Sequence, residues 1–277
     1  HFKLKDYGWN YVNIDDAWQG YRDSVTLALQ PNEKFPDIKG MFDYIHSLGL
    51  KVGLYSTPYI SSYAGYVGVS SDYPKGGETH EKIIVNRPSF NRIGPYKFEK
   101  QDARLMAEWG VDFLKYDWCN TEGINAKEAY TTMSNALKTA GKPIVFSLCE
   151  WGDNQPWNWG KPIGNLWRIS GDISPCFDCE DNHGTWSSWG FMKIIDMRKD
   201  IRKFSGPDHW NDFDMMEVGN EMNDTEDKSH FAMWCMLSSP LFTGNDYRKM
   251  SKETLAILTN KDLIAINQDK LGIQGFK

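Results

Sequence analysis

The feature that most restricts the fold of this chain is a regular alternation of strand-like and helix-like segments from residue 11 almost to the end. Strand-like segments predict seven strands, at residues 11–15, 51–55, 111–117, 143–150, 166–170, 209–212 and 240–245. Hydrophobic residues at helical spacing predict helices at residues 41–48, 98–109, 126–139, 192–204, 229–237, 251–258 and 261–267. This order is typical of βαβ units, and it therefore predicts a parallel sheet.

Polar side chains collect where the predicted strands end, namely Asp15, Asp16, Tyr55, Asp117, Glu150, Asp172 and Asp214. A (β/α)8 barrel carries its chemistry at this end of its strands, and its typical length of about 250 residues is close to the 277 found here. A doubly wound sheet is the alternative, but no G-x-G-x-x-G motif follows the first strand. We therefore predict an α/β chain with a (β/α)8 TIM barrel that lacks its first strand. Since no linker-like stretch divides the sequence, residues 1–277 are predicted to be one barrel domain, incomplete at the N-terminus.

Composition narrows the classes of function. Lys and Arg number 31 against 37 Asp and Glu, and the net charge of −6 disfavours a nucleic-acid binder. No apolar run approaches the roughly 18–20 residues that span a bilayer, and the first residues show no signal peptide. Aromatic residues make up 14% of the chain and include 12 Trp. Such rings fill cores, but their flat faces also stack on sugars, so carbohydrate binding is favoured.

Two pairs of opposite charges lie at strand ends. Lys115 and Asp117 are two residues apart on a predicted strand, so their side chains point to the same face. Arg168 and Asp172 are a second pair of a cation and a carboxylate. In each pair the cation either forms a structural ion pair with the carboxylate or keeps that carboxylate ionised for catalysis. Two carboxyl groups around one glycosidic bond are enough for its hydrolysis. The sequence contains no Ser-His-Asp triad, P-loop or metal motif, and together these residues favour a barrel glycosidase without metal or cofactor.

Two further features bear on the site. Cys176 and Cys179 have C-x-x-C spacing, but no second such pair follows, so a local disulfide or two free thiols is favoured over a metal or redox site.

Residues 56–95 form a long connection between a strand and the next helix, and long βα loops usually carry function. We expect this loop to shape the substrate cleft, with Tyr59 and Tyr63 stacking on a sugar, or else to pack against a neighbouring domain or subunit.

A set of ordered motifs resembles glycoside hydrolase family 27, the α-galactosidase (melibiase) family, in its bacterial or plant form. The motifs are YGWNYVNIDDAW at residues 7–18, KYD at 115–117, CEWG at 149–152, GNLWRISGDI at 164–173, WNDFDM at 210–215 and AINQD at 265–269. The resemblance implies a retaining, exo-acting hydrolase that removes terminal α-galactosyl residues by double displacement. It implies that Asp117 is the nucleophile and Asp172 the general acid/base. It also implies that the other site residues bind the sugar: Asp15, Asp16, Tyr55, Lys115, Glu150, Trp151, Arg168 and Asp214. Galactosides or related oligosaccharides are then the expected substrates, and the family suggests a secreted or periplasmic location.

Departures from the family pattern leave alternatives open. The early Trp motif of the first strand and the C-terminal β-sandwich are absent from this sequence. Ala17 stands where many members have Cys, and Tyr63 replaces the Cys that pairs with the one at position 119, so the usual disulfide is not expected. Because residues 56–95 diverge, the same family also suggests a β-L-arabinopyranosidase or an isomaltodextranase-like enzyme. A catalytically silent sugar-binding module is the third interpretation, although such a module is expected to lose a catalytic carboxylate.

Overall fold

The computed structural model describes residues 2–72, 92–118 and 124–276. The chain forms two compact units, which we call the N-terminal unit (residues 10–150) and the C-terminal unit (residues 1–9 and 151–277). That residues 1–277 form a single domain stays a prediction.

Parallel strands in chain order form the centre of the N-terminal unit. The strands of this unit are β1 (Tyr11–Asn13), β2 (Gln19–Arg22), β3 (Leu29–Pro31), β4 (Lys51–Ser56), β5 (Ser70–Ser71), β6 (Tyr96–Lys97), β7 (Phe113–Asp117) and β8 (Val145–Cys149). Strands β1, β4, β7 and β8 are parallel neighbours in that order, while β2 pairs with β3 and β5 with β6 in antiparallel fashion. The order never reverses along these four strands, whereas a doubly wound sheet reverses at its switch point. This part of the chain therefore follows the barrel pattern.

Among the described residues of this unit, three helices lie between the parallel strands, and local sequence explains where they begin and end. They are α1 (Ile38–Ser47), α2 (Glu99–Glu108) and α3 (Ala126–Lys138). The Asp37 carboxylate accepts the Gly40 N–H at 2.9 Å and thereby caps α1. Just after α1, Gly49 adopts a φ of 69°, the left-handed conformation that commonly ends a helix. Asn125 caps α3 in the same way by accepting the Glu128 N–H.

The core of the N-terminal unit lies on both faces of its parallel strands. Leu54, Leu114 and Leu148 share one face of three adjacent strands and are at most 1% exposed, and Tyr55, on the opposite face of β4, is 2% exposed. Strands covered on both faces read as continuous apolar runs, which is how β4, β7 and β8 were recognisable from sequence. Trp18 and Trp118 are also buried here, so part of the high Trp content belongs to the core rather than to sugar binding.

The C-terminal unit contains a second set of parallel strands with a hairpin and four helices. Its strands are β9 (Leu166–Arg168), β10 (Glu180–Asn182), β11 (Ser187–Trp189) and β12 (Trp210–Asp212). Its α-helices are α4 (Phe191–Met197), α5 (Asp224–Met236), α6 (Lys252–Leu258) and α7 (Lys261–Asn267). Short 3₁₀ helices cover Leu4–Tyr7, Pro156–Asn158 and Lys199–Phe204. Strands β9 and β12 are parallel, and β10 and β11 form an antiparallel hairpin.

Three predicted elements differ from the structure. The helix predicted at 192–204 is wrong as one element, because Arg198, at φ −135° and ψ 49°, separates α4 from a 3₁₀ helix. The strand predicted at 240–245 is also wrong. There Met216 and Thr243 form an isolated parallel bridge, and the pairing does not extend into a strand. Helix α5 begins five residues before the predicted start, because Asn223 and Glu226 form a capping box.

A partly buried carboxylate joins three elements at the amino end of β7. The Asp112 carboxylate accepts the Val52 N–H at 2.9 Å and lies 2.9 Å from His46 Nε2 and 2.5 Å from Lys142 Nζ. Burial raises the pKa of Asp112, but the contacts with Lys142, His46 and the Val52 N–H outweigh burial and lower it. This end of a barrel strand is associated with stability rather than with catalysis.

We expect Asp112→Asn to lower the free energy of unfolding by about 1–3 kcal/mol at pH 7, since it weakens hydrogen bonds to a charged group. A carboxyl whose pKa is lowered by folding stabilises the protein above its unfolded value of about 3.9. That contribution is lost as pH falls through the folded value, so the variant and the parent should converge in acid. Urea unfolding at pH 7 and at about pH 2, well below the unfolded value, tests this. Asp43→Asn, at an exposed surface ion pair, is the control. An equal difference at both pH values would contradict the assignment.

Candidate active site

Asp117, the predicted nucleophile, is the last residue of β7, and both of its carboxylate oxygens are held. Oδ2 accepts the Tyr55 hydroxyl at 2.6 Å, and Oδ1 accepts the Trp118 N–H at 2.9 Å. The residue is 7% exposed. Tyr55 lies on the adjacent strand β4, so the parallel register brings the hydroxyl to the carboxylate. The side chain is therefore fixed in orientation by hydrogen bonds to both oxygens.

Lys115 lies two residues before Asp117 and connects a second carboxylate to the same strand end. Its Nζ is 2.8 Å from Asp15 Oδ2 and 5.6 Å from the centre of the Tyr55 ring. Burial lowers the pKa of Lys115, but its interactions with Cys149, Asp15 and Asp117 outweigh burial and raise it. The side chain is thus a permanent cation beside two carboxylates.

Asp16 is held by the start of the long loop that follows β4. One carboxylate oxygen accepts the Ala17 N–H at 2.7 Å and the other accepts the Ala64 N–H at 3.1 Å. Burial raises the pKa of Asp16, and the Asp117 charge adds to this, against lowering contacts with Ser62, Ala17 and Ala64. The loop therefore shapes the Asp16 side of the site. The sequence offered no signal for Ala64, because it contributes a backbone group.

Glu150 follows β8 directly and is completely buried. In the register of β7 and β8, Asp117 is paired with Cys149, so Glu150 comes one residue beyond the level of Asp117. All six site residues predicted in the N-terminal unit thus lie at the carboxyl ends of neighbouring parallel strands: Asp15, Asp16, Tyr55, Lys115, Asp117 and Glu150.

In the C-terminal unit, Arg168 connects the predicted acid/base to another carboxylate. The guanidinium nitrogen Nη2 is 3.2 Å from Asp172 Oδ1 and 2.7 Å from Asp214 Oδ2. It also donates to the Gly171 carbonyl at 2.8 Å. The Arg168 side chain is 5% exposed, whereas that of Asp172 is 46% exposed. Asp172 therefore combines a fixed cationic neighbour with access to water.

Asp214 occupies a conformation that is rare for a residue other than glycine. Its φ is 84°, which costs free energy and is found most often at functional sites. The carboxylate accepts the N–H groups of Ile173 and Met215 at 2.9 and 2.7 Å, and its carbonyl accepts the Trp234 indole N–H at 2.8 Å. These contacts hold the side chain against Arg168.

Trp151 and Gly152 turn the chain sharply after β8. Their φ values are 61° and 80°, both in the left-handed region. A Cβ atom on Gly152 would lie 2.3 Å from the Ile169 carbonyl oxygen, so only glycine permits this close approach. Trp151 is left half-buried. The structure brings Trp151, Arg168, Asp172 and Asp214 into one unit, and their roles stay predictions.

Comparison with known proteins identifies the family. A family model described as Melibiase_2, alpha galactosidase A, matches residues 2–91 and 86–269. The chain belongs to the Melibiase_2 family. The predicted membership of glycoside hydrolase family 27 is thereby confirmed.

Relatives of this Melibiase_2 chain match it over almost its whole length. Alpha-galactosidase A of Cellvibrio japonicus is 48% identical, over 99% of this chain and 62% of the relative. The crystal structure of alpha-galactosidase I from Mortierella vinacea superposes with a TM-score of 0.83 at 34% identity, over 98% of this chain and 66% of that chain. The structure of an alpha-galactosidase from Saccharomyces cerevisiae with raffinose has a TM-score of 0.83 at 30% identity, over 99% and 59%. The chain spans less than two thirds of the length of the curated relatives it matches. The predicted fold class, a (β/α)8 barrel, is confirmed by these neighbours.

The structure corrects the expectation for the long loop. Tyr59 is 1% exposed, and its ring lies 5.6 Å from that of Trp118, so it belongs to the core and cannot stack on a bound sugar. Tyr63 is 46% exposed. The rest of the predicted loop lies partly outside the described residues, as does Cys119.

The cysteine and membrane predictions can also be compared with the described part of the chain. Cys176 and Cys179 form a disulfide, the first of the two predicted outcomes. The thiols of Cys149 and Cys235 are buried and form no disulfide with another described residue. Among residues 2–72, 92–118 and 124–276, no helix has the length and apolar character needed to cross a bilayer.

Proposed function

We propose that this chain is the catalytic barrel of a retaining, exo-acting glycoside hydrolase that removes terminal α-galactosyl residues. The observation that carries the proposal is the fixed carboxylate of Asp117, held by Tyr55 and the Trp118 N–H at the end of a parallel strand. Membership of the Melibiase_2 family, and the names of the relatives, support the sugar and the linkage.

In the first step, Asp117 attacks the anomeric carbon and Asp172 donates a proton to the leaving oxygen. Hydrogen bonds to both Asp117 oxygens restrict its rotation, so attack does not require the side chain to be ordered first. Lys115 and Tyr55 are the cationic and hydroxyl neighbours that stabilise its negative charge before attack. The result is a covalent β-linked glycosyl-enzyme.

In the second step, Asp172 removes a proton from water, and the water releases the sugar with retained configuration. The half-exposed carboxyl of Asp172 suits this role, because water and the departing alcohol must reach it. Arg168 keeps the carboxyl in place through its contact at 3.2 Å. The remaining polar residues bind the sugar hydroxyls, and buried Glu150 and Asp214 provide acceptors of fixed direction.

A panel of aryl glycosides tests the proposal. We expect kcat/KM for an aryl α-galactoside to exceed that for the matching β-L-arabinopyranoside and α-glucoside by roughly 10- to 200-fold, the discrimination that one missing or misplaced group usually provides. Asp117→Ala protein from the same preparation is the control for contaminating hydrolases. A faster reaction with the arabinopyranoside would favour the alternative of a β-L-arabinopyranosidase. Binding without turnover of any glycoside would favour a sugar-binding module.

A further inference from the structure

We propose that Trp189, at the end of the β10–β11 hairpin, is an aromatic platform for the sugar on the leaving-group side of the cleaved bond. The inference rests on the proposed function, because it assigns the leaving group to the side of Asp172. The observations that carry it are the bonds of Trp189 to the segment around Asp172 and the position of its ring over Gly171.

The main chain of Trp189 is fixed to the predicted acid/base. Its N–H donates to the Asp172 carbonyl at 3.0 Å, and its carbonyl accepts the Ser174 N–H at 2.8 Å. Trp189 also forms a parallel bridge with Ile173. Both backbone groups of Trp189 are thus bonded to residues 172–174, and Trp189 cannot move without moving the chain at Asp172.

The indole ring lies directly against the residue that precedes Asp172. A Cβ atom on Gly171 would be 2.6 Å from Trp189 Cζ3, so the ring touches the Gly171 backbone where any side chain would exclude it. Trp189 as a residue is only half-buried. Its backbone N–H and carbonyl are both bonded, so we infer that the exposed part belongs to the side chain. A large, partly exposed aromatic surface beside a catalytic carboxyl is suited to stacking on a sugar ring.

The base of the hairpin is rigid enough to hold such a surface. The Cys176–Cys179 disulfide closes the turn before β10. The Gly190 N–H donates to the Cys179 carbonyl at 3.0 Å, and the Phe191 N–H donates to the Cys176 carbonyl at 3.3 Å. Trp189 is therefore followed immediately by residues that are bonded to the disulfide loop.

The chemistry of the reaction decides which sugar meets this ring. Asp172 protonates the glycosidic oxygen, and that oxygen departs with the leaving sugar. A ring fixed beside Asp172 therefore faces the leaving group. Trp186 on the same hairpin lies three residues away, roughly 10 Å along an extended strand. Its ring is stacked on His183 at 4.0 Å, so Trp186→Ala is a matched control.

Three galactosyl substrates separate stacking from effects on the acid. A galacto-oligosaccharide needs protonation and has a sugar leaving group, methyl α-galactoside needs protonation without a ring, and α-galactosyl fluoride needs neither. We expect Trp189→Ala to lower kcat/KM for the oligosaccharide by about 3- to 10-fold. The values for the other two substrates should stay within about twofold, which is less than the loss expected for the oligosaccharide. Trp189→Phe should recover part of the loss, and Trp186→Ala should leave all three unchanged.

Equal losses on the oligosaccharide and the methyl galactoside, with the fluoride unaffected, would overturn the proposal and make Trp189 a positioning residue for Asp172. Losses on all three substrates, or on none, would also overturn it. If the unmodified protein failed to hydrolyse even the fluoride, the proposed function itself would be wrong, so the two failures are distinguishable.

Discussion

Replacing Asp117 by alanine is expected to lower kcat for any galactoside by about 10⁴-fold or more, because the covalent intermediate can no longer form. The structure supports this expectation, because Asp117 accepts hydrogen bonds from the Tyr55 hydroxyl and the Trp118 N–H, which hold its carboxylate in one orientation. Removing the carboxylate leaves a cavity on the face from which it attacked. Steady-state hydrolysis of an activated aryl α-galactoside measures the loss.

Added azide should restore part of the rate of Asp117→Ala, because a small anion can enter the cavity and attack from the same face. The product should be the β-galactosyl azide, with inverted configuration, which NMR distinguishes from the α anomer. Asp43→Ala, which removes an exposed carboxylate elsewhere in the N-terminal unit, should have unchanged activity with and without azide. Near-normal activity of Asp117→Ala without azide would mean that another carboxylate is the nucleophile.

Replacing Asp172 by alanine is expected to produce a loss that depends on the leaving group. General acid catalysis typically contributes 10²–10⁴-fold, and the contribution is needed most when the leaving oxygen is basic. We therefore expect a loss of roughly this size for an oligosaccharide and a much smaller loss in kcat/KM for a dinitrophenyl galactoside.

Azide gives a second result that separates Asp172 from Asp117. In Asp172→Ala the glycosyl-enzyme still forms, so azide should release it as the α-galactosyl azide, with retained configuration. Asp178→Ala removes an exposed carboxylate from the disulfide loop of the same unit and should leave the rates with both leaving groups unchanged. An equal loss for both leaving groups would show that Asp172 is not the acid.

Much of the site could be predicted because its residues belong to local patterns. Asp15, Asp117 and Glu150 each follow an apolar run, and the carboxyl ends of parallel strands meet at one edge of a sheet. The alternation of strands and helices predicted the fold class for the same reason, since the periods of apolar residues depend only on backbone geometry. Where local geometry changes inside one apolar pattern, as at Arg198, the prediction from periodicity was wrong.

The sequence by itself determined the barrel class, the family and the strand-end carboxylates. Tertiary structure alone decided that Tyr59 is buried, that the Ala64 N–H reaches Asp16, and that Trp189 is bonded to Asp172. The physical reason is that the two kinds of feature depend on different parts of the chain. Periodicity and motifs are properties of neighbouring residues, whereas burial of a loop tyrosine or the approach of a backbone N–H depends on how segments distant in the chain pack together.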